Sequence, residues 1–298
     1  MTKPTWFMSA LVLLVFAIYL FVQAPPPLPE EAVAVGEQIP IETVLTAVAA
    51  ENDVVRALWT REIVGAGKKV GLAFDEHWRD QEVEAGPLPA LFLREAAASL
   101  EKNPIPLSLF LGSDFPINPS NLFAGQQMER FERLKMDHKA QFFFTEDTKL
   151  YTAMFPDFAS VQPCVTCHNE HSDSAKTDWV LNDVMGATTW AYPKATVTMD
   201  EFMDMITAVR QGFRDAYRAY LEKVATFAKP PKVGTTWPRE GEYVLPSLDV
   251  FMGEFTQQAS ARTVDLLLSA SPKAMQKEVH GRPAKPHPLN VTQIALHL

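Results

Sequence analysis

The stretch Cys164-Val165-Thr166-Cys167-His168 decides how this sequence is interpreted, because it contains both cysteines of the 298-residue chain. Two cysteines with two residues between them lie on one turn of a helix, so both thiols face the same side. A histidine directly after the second cysteine completes the attachment signature of c-type haem. In that signature the thiols of Cys164 and Cys167 bond to the two vinyl groups of one haem, and His168 binds the iron as its proximal axial ligand. The sequence therefore predicts one covalently bound haem c.

Three other interpretations of the cysteine pair explain less. A zinc site needs more ligands, and His168 and His171 lie in the same loop instead of forming a distant second pair. A redox-active dithiol needs a strand before the motif and a helix after it, whereas residues 169–176 are polar and turn-like. A structural disulfide leaves His168 without a role. Haem attachment uses all three side chains.

The N-terminus carries an apolar segment at residues 6–22, in which Ser9 is the one polar residue. Its 17 residues approach the length that crosses a bilayer, which predicts a transmembrane anchor. The alternative is a cleaved signal peptide, and the three prolines at residues 25–27 disfavour cleavage there. Lys3 precedes the segment and Glu30 follows it, so the bulk of the chain is expected outside the cytoplasm, in the periplasm. Haem c is assembled on that side of the membrane.

Composition and charge exclude several classes of protein. The chain is 47% hydrophobic, which excludes a fully disordered protein. Its formal charge is −9, with no basic stripe, so a nucleic acid is not expected as a partner. Two cysteines cannot form a disulfide-dense scaffold.

The remaining sequence predicts an α+β domain followed by a helical extension. A helix begins at Pro40 and is expected to stop at Gly65 and Gly67, and a capping box at Thr198 and Glu201 begins a long helix. Whether that long helix packs on the domain or docks a partner stays open. The other predicted elements are a helix at 88–102, strands at 105–111, 141–145, 150–155 and 184–190, the capped helix at 198–228, and a last helix at 248–270.

Residues after the attachment signature resemble a known family. The segments 173–179 and 183–186, together with 87–89 and 112–116, resemble the PAS-like c-type haem sensor domain over about residues 40–195. Members of that family are extracytoplasmic input modules of bacterial cyclases, histidine kinases and chemoreceptors, or stand-alone cytochromes. The resemblance implies a PAS-like antiparallel sheet with flanking helices that holds one covalent haem. The family often has glycine where this chain has Asn182, a residue that tolerates the left-handed conformation.

These observations divide the chain into an anchor with its linker at residues 1–29, a haem domain at 30–196, and a C-terminal helical extension with its tail at 197–298. No kinase, cyclase or receptor module follows the haem domain in this sequence, and about five residues precede the membrane segment. A signal would therefore have to pass through a partner protein.

The distal side of the haem is less determined than the proximal side. Met154 and His138 are the candidates for the distal iron ligand, and neither lies in a motif that marks it as one. His171 is expected to bond a haem propionate or its own loop, and Trp179 to form part of the pocket wall. The expected apolar wall residues are Phe142, Phe143, Phe144 and Tyr151. A pocket of this kind predicts a weak or exchangeable sixth ligand.

Two functions follow as alternatives. The first is a haem-based sensor of redox state or of a diatomic gas, which is anchored in the membrane and acts through a protein partner. The second is an electron-transfer cytochrome subunit of a membrane complex. An enzyme is the weakest class, because the sequence contains no recognisable catalytic constellation or phosphate-binding loop.

Overall fold

The computed structural model describes residues 38–237 and 243–270, together with residues 13, 14, 16 and 19. The predicted membrane segment lies outside the described residues except for those four, which are helical and exposed, and the predicted tail from residue 271 also lies outside them. Among the described residues, no helix is both long and apolar enough to cross a membrane. The chain divides into one unit of residues 1–38 and a compact unit of residues 39–298, to which all the elements below belong.

Two nine-residue strands are the longest of the second unit, and its helices differ widely in length. The strands are β1 (Ile39–Pro40), β2 (Ala73–Asp75), β3 (Ala85–Pro87), β4 (Ser108–Gly112), β5 (Gln141–Thr145), β6 (Leu150–Phe158), β7 (Val184–Tyr192), β8 (Thr196–Val197), β9 (Val233–Gly234) and β10 (Leu245–Pro246). The α-helices are α1 (Ile41–Leu58), α2 (Ala66–Lys69), α3 (Pro89–Leu100), α4 (Gly125–Asp137), α5 (Gln162–Glu170), α6 (Met199–Val224) and α7 (Leu248–Ala270).

The central sheet has four strands in the order β4-β7-β6-β5, and every neighbouring pair is antiparallel. Strands β6 and β7 form its middle, with Tyr151 opposite Tyr192 and Met154 opposite Thr189. The register shifts between Asp157 and Phe158, where β6 ends. The predicted α+β class with an antiparallel sheet is therefore confirmed. The β2–β3 and β9–β10 pairs are short and parallel.

The two faces of this sheet pack against different helices, because successive side chains of a strand point to opposite faces. Ala153 is buried in the main core, which also includes buried residues of α1, α3, α6 and α7, and Tyr151 and Phe155 pack against that core. The opposite face packs against α4. The buried residues of this second cluster are Phe123, Phe131, Leu134, Phe143, Met154, Val184 and Ala187.

The long C-terminal helices pack on the domain, which resolves the question that the sequence left open. Helix α6 packs against α3, and α7 packs against α1. Tyr217 of α6 stacks on Phe251 of α7 with ring centroids 3.9 Å apart. Glu51 of α1 is fully buried and accepts hydrogen bonds from Arg210 of α6 at 2.6 and 2.7 Å and from Thr263 of α7 at 2.6 Å. One buried carboxylate therefore joins three helices.

Several predicted boundaries agree with the structure. Strand β5 and helix α7 have the predicted limits, and the capping box of Thr198 and Glu201 begins α6. Asn182 has φ +70°, the left-handed conformation expected for it.

The expectation that Gly65 and Gly67 stop the first helix is wrong. The backbone continues from α1 through a π-helical segment, Trp59–Gly65, into α2, and Gly65 is helical with φ −64° and ψ −47°. Trp59 and Ile63 of this segment are fully buried. A glycine in a helix costs about 1 kcal/mol, which is less than the burial of two such side chains contributes. The chain turns only after Lys69, where Gly71 has φ +92°.

Helix α4 was not predicted. Most residues of α4 are polar, and only Phe131 and Leu134 are buried. The available signal was the spacing of three and three between Met128, Phe131 and Leu134, which marks a narrow apolar stripe on a helix.

Candidate functional site

The attachment motif lies on α5, a helix of nine residues. Val161 is extended and precedes the helix, and the helix has a proline in its first turn, where a missing N–H costs nothing. The chain leaves the helix at His171, and Ser174 then donates its N–H to the His171 carbonyl. Cys164 and Cys167 are thus separated by one turn of an α-helix, as the spacing predicted.

Both cysteines are free thiols, Cys164 half-buried and Cys167 exposed. Burial raises the pKa of each thiol. Near Cys167, Glu76 raises the pKa further and Lys68 opposes that effect. A redox-active dithiol requires a lowered thiol pKa, so the electrostatics of this turn do not suit that alternative.

His168 follows on the same turn and is half-buried. Its Nδ1 atom is buried and has no hydrogen-bond partner within the described part of the chain. Burial lowers the pKa of His168, and the nearby Asp157 carboxylate opposes this change. A neutral imidazole is the form that binds a metal. The two thiols and the imidazole therefore fit the protein ligands of a c-type haem.

Trp179 contacts the motif helix through Val165, the residue after the first cysteine. Its side chain is 5% exposed and forms a small cluster with Val165 and Ala159. The side-chain amide of Asn169 on α5 accepts the backbone N–H of Trp179 at 2.8 Å and donates to the backbone carbonyl of Trp179 at 2.9 Å. The Lys176 ammonium lies 4.7 Å from the centre of the Trp179 ring. Trp179 thus supports the helix from the Val165 side, and its role as a lid on the haem stays a prediction.

His171 bonds its own loop and a neighbouring segment. Its Nδ1 accepts the N–H of Asp173 at 3.1 Å, so in the neutral ring Nε2 carries the proton. Nε2 lies 3.1 Å from a carboxylate oxygen of Glu76, directly after β2. Of the two roles expected for His171, the structure shows the one that holds the loop.

Met154 lies on the face of β6 that packs against α4. It is fully buried in the cluster beneath α4. Asp157, whose charge acts on His168, is three residues further along the same strand, so its side chain points to the opposite face of β6. The structure shows Met154 as a core residue, and its role as an iron ligand stays a prediction.

His138 forms the C-terminal cap of α4. It is exposed, has φ +57°, and donates its backbone N–H to the carbonyl of Leu134. Its ring contacts the Phe158 ring edge-on, with centroids 5.6 Å apart. The structure does not show it beside His168.

Three of the four expected wall residues share one face of the sheet, and Phe143 lies on the other. Phe142 packs against the main core, whereas Phe143 is buried in the cluster beneath α4. Phe144 contacts Tyr151 with ring centroids 4.9 Å apart. Consecutive strand residues alternate between faces, so Phe142 and Phe144 share the face of the main core with Tyr151, which is paired with Phe144, whereas Phe143 lies on the opposite face.

Three residues near the motif were missed by the sequence analysis. Arg56 and Asp157 form an ion pair beside Cys164, and Glu76 lies beside Cys167 and His171. The partners Arg56 and Asp157 are 101 residues apart in sequence. No local pattern marks such a pair.

Comparison with known proteins gives one family match. A family model described as Tll0287-like matches residues 37–193, just over half of the chain. The matched range contains the attachment motif and the whole central sheet. No curated protein and no solved structure shows significant similarity to the chain.

Proposed function

Because the chain belongs to the Tll0287-like family, we propose that it binds one haem c covalently through Cys164 and Cys167, with His168 as the proximal iron ligand. The observation that carries this proposal is the arrangement of the three side chains on α5. Two free thiols lie one helical turn apart, and they are followed by a half-buried imidazole, one nitrogen of which has no partner among the residues that the structure describes. The resemblance to the PAS-like haem sensor domain implies the same group.

In this proposal the chain's own residues bind and orient the cofactor. The thiols of Cys164 and Cys167 would hold the haem covalently, and the imidazole of His168 would bind its iron. The Asn169–Trp179 hydrogen bonds and the His171–Glu76 contact hold the helix and its loop in place. When bound, haem c supplies an iron that exchanges electrons and binds small ligands.

The experiment is the intact mass of the purified full-length protein, followed by acid–acetone extraction. We expect the mass to exceed the 33.3 kDa polypeptide by one haem and the colour to stay with the protein. Replacing both Cys164 and Cys167 by Ala should abolish attachment. Thr166→Ala is the matched control, since Thr166 is exposed on the same turn and has no part in the signature. Haem that moves into the organic layer would contradict covalent binding.

We further propose that the domain senses redox state or a diatomic gas and acts through a partner protein. The placement of the candidate distal ligands supports this role, because Met154 is packed in a core and His138 caps a helix. A weak or exchangeable ligand leaves an iron position that a gas molecule can occupy. Electron transfer is the alternative, since a carrier gains from two strong ligands that stay bound in both oxidation states.

The proposed location is the outer side of a membrane, with the segment at residues 6–22 as the anchor. The length of that segment and the prolines after it support this location. The assembly of haem c outside the cytoplasm is consistent with it.

A further inference from the structure

An ion pair lies between the first helix and the end of the central strand β6. Asp157 accepts a hydrogen bond from the guanidinium of Arg56, with Oδ1 and Nη2 2.5 Å apart. The Arg56 side chain is 29% exposed and that of Asp157 is 24% exposed. Helix α1 and strand β6 both pack in the main core, so the two charged groups have a defined position in the fold.

The chain leads from this pair directly to the motif helix. Two residues after Asp157, Ala159 is fully buried against Val165 of α5 and against Trp179. The N–H of Ala159 donates to the carbonyl of Asp183 at 2.9 Å. The end of β6 is thus packed against α5. Both charges of the ion pair act on the thiol of Cys164, which begins the signature.

His168 has a buried nitrogen that the described residues leave without a partner, the Nδ1 atom. A histidine that binds a metal through one nitrogen usually donates the N–H of the other to a carboxylate, a carbonyl or a water. Two charged or titratable groups act on His168: the Asp157 carboxylate and the His171 ring. Of these, only Asp157 is anionic, and His171 is already bonded to Glu76 and Asp173.

We propose that Asp157, held by Arg56, accepts the Nδ1–H of His168 once haem attachment has oriented the imidazole, and thereby positions the ring and strengthens it as an iron ligand. In the structure the two groups lie on neighbouring packed elements without a hydrogen bond between them. This inference rests on the proposed haem binding. Asp157 is a positioning residue, since it acts on the iron through His168. The carboxylate also places a negative charge near the iron, which stabilises the ferric state relative to the ferrous state.

The test is the midpoint potential of the full-length holoprotein, measured by optical titration. Asp157→Asn keeps the shape and removes the charge, so the midpoint potential should rise. Arg56→Gln removes a positive charge and frees the carboxylate, so the midpoint potential should fall. Asp178→Asn is the matched control, because Asp178 precedes Trp179 but its side chain is 82% exposed and pairs with Lys176. The control should leave the midpoint potential unchanged.

The outcomes separate this inference from the proposed function. A wild-type protein without covalent haem overturns the proposed function. Haem on every variant, with equal midpoint potentials for Asp157→Asn and Asp178→Asn, overturns the inference alone.

A measurement on the wild type covers the case in which the Asp157 and Arg56 variants fail to mature. The sample is the ferrous protein in its low-spin form, to which CO is added if the ferrous iron binds it. The Nδ1–H proton of His168 should then give a downfield NMR signal that exchanges slowly with solvent. A fast-exchanging proton at the shift of an unbonded imidazole overturns the inference.

Discussion

Met154 and His138 are the candidate distal ligands, so they help to distinguish a sensor from an electron carrier, which gains from two strong ligands. Met154 is buried among aromatic side chains, and His138 is an exposed helix cap. We predict that Met154→Ala and His138→Ala leave the absorption spectrum of the ferrous protein nearly unchanged. CO should bind readily to the ferrous wild type, as followed by its absorption spectrum.

A second measurement accompanies each of these two variants. Met154→Ala should lower the free energy of unfolding by about 2–5 kcal/mol, as expected for a fully buried methionine, which shows that the substitution acts on the core. His138→Gly keeps the left-handed cap and should behave like the wild type. A reduced protein that is six-coordinate, low-spin and inert to CO, and that one substitution opens to CO, would favour electron transfer.

Substitutions of Asn182 test whether the turn between the motif loop and β7 needs a left-handed backbone conformation. It is exposed and has φ +70°, so its backbone conformation matters more than its side-chain packing. Asn182→Val should lower the free energy of unfolding by about 1–2 kcal/mol, because a β-branched residue is strained in this conformation. Asn182→Gly should leave the free energy unchanged within about 0.5 kcal/mol. Urea unfolding measures both, and equal stabilities of the Val and Gly variants would rule this explanation out.

At the scale of elements, the buried Glu51 joins three helices through Arg210 and Thr263. Glu51→Ala leaves the Arg210 charge without its partner in the core. We predict a loss of about 3–5 kcal/mol in the free energy of unfolding, as found when one member of a buried ion pair is removed. Thermal or urea unfolding of the full chain measures it.

The control for this prediction is an exposed ion pair. Glu146 and Lys149 are paired, but their side chains are 73% and 71% exposed, so Glu146→Ala should change the free energy of unfolding by less than about 1 kcal/mol. The double variant Glu51→Leu with Arg210→Met should recover most of the loss, because it buries no charge. If Glu51→Ala were as mild as Glu146→Ala, α7 would not depend on this contact.

The helices also show where local rules are sufficient and where they fail. The capping box of Thr198 and Glu201 is a local signal, and α6 begins where it predicts. Gly65 is a local stop signal that the structure overrides, because the burial of Trp59 and Ile63 is a long-range effect. Helix α4 escaped prediction because its apolar stripe is narrow and has meaning only against the sheet that it covers.

At the scale of the whole molecule, the proposed membrane anchor at the N-terminus is open to a direct test. We predict that the purified protein keeps its N-terminus and sediments with membranes, since 17 nearly uninterrupted apolar residues favour insertion. Detergent should release it, whereas high salt should not. N-terminal sequencing of the mature protein provides the check. A start near Pro25, with the protein in the soluble fraction, would make it a secreted cytochrome.

Some properties of this protein follow from the sequence by itself. The spacing of Cys164, Cys167 and His168 predicts covalent haem, because residues on one helical turn face one side whatever surrounds them. Short apolar runs between turn residues indicated the strands, and the segments 173–179 and 183–186 indicated the family. All of these depend on neighbours in the chain, whose geometry the backbone itself determines.

The tertiary structure alone decided which distant groups meet. It brought Arg56 to Asp157 and both to the motif, across 101 residues. It placed Met154 on the face of β6 away from the charge that acts on His168, and it buried α6 against α3. Contacts of this kind form only when the whole chain is packed, because burial and pairing depend on residues that no local sequence pattern connects.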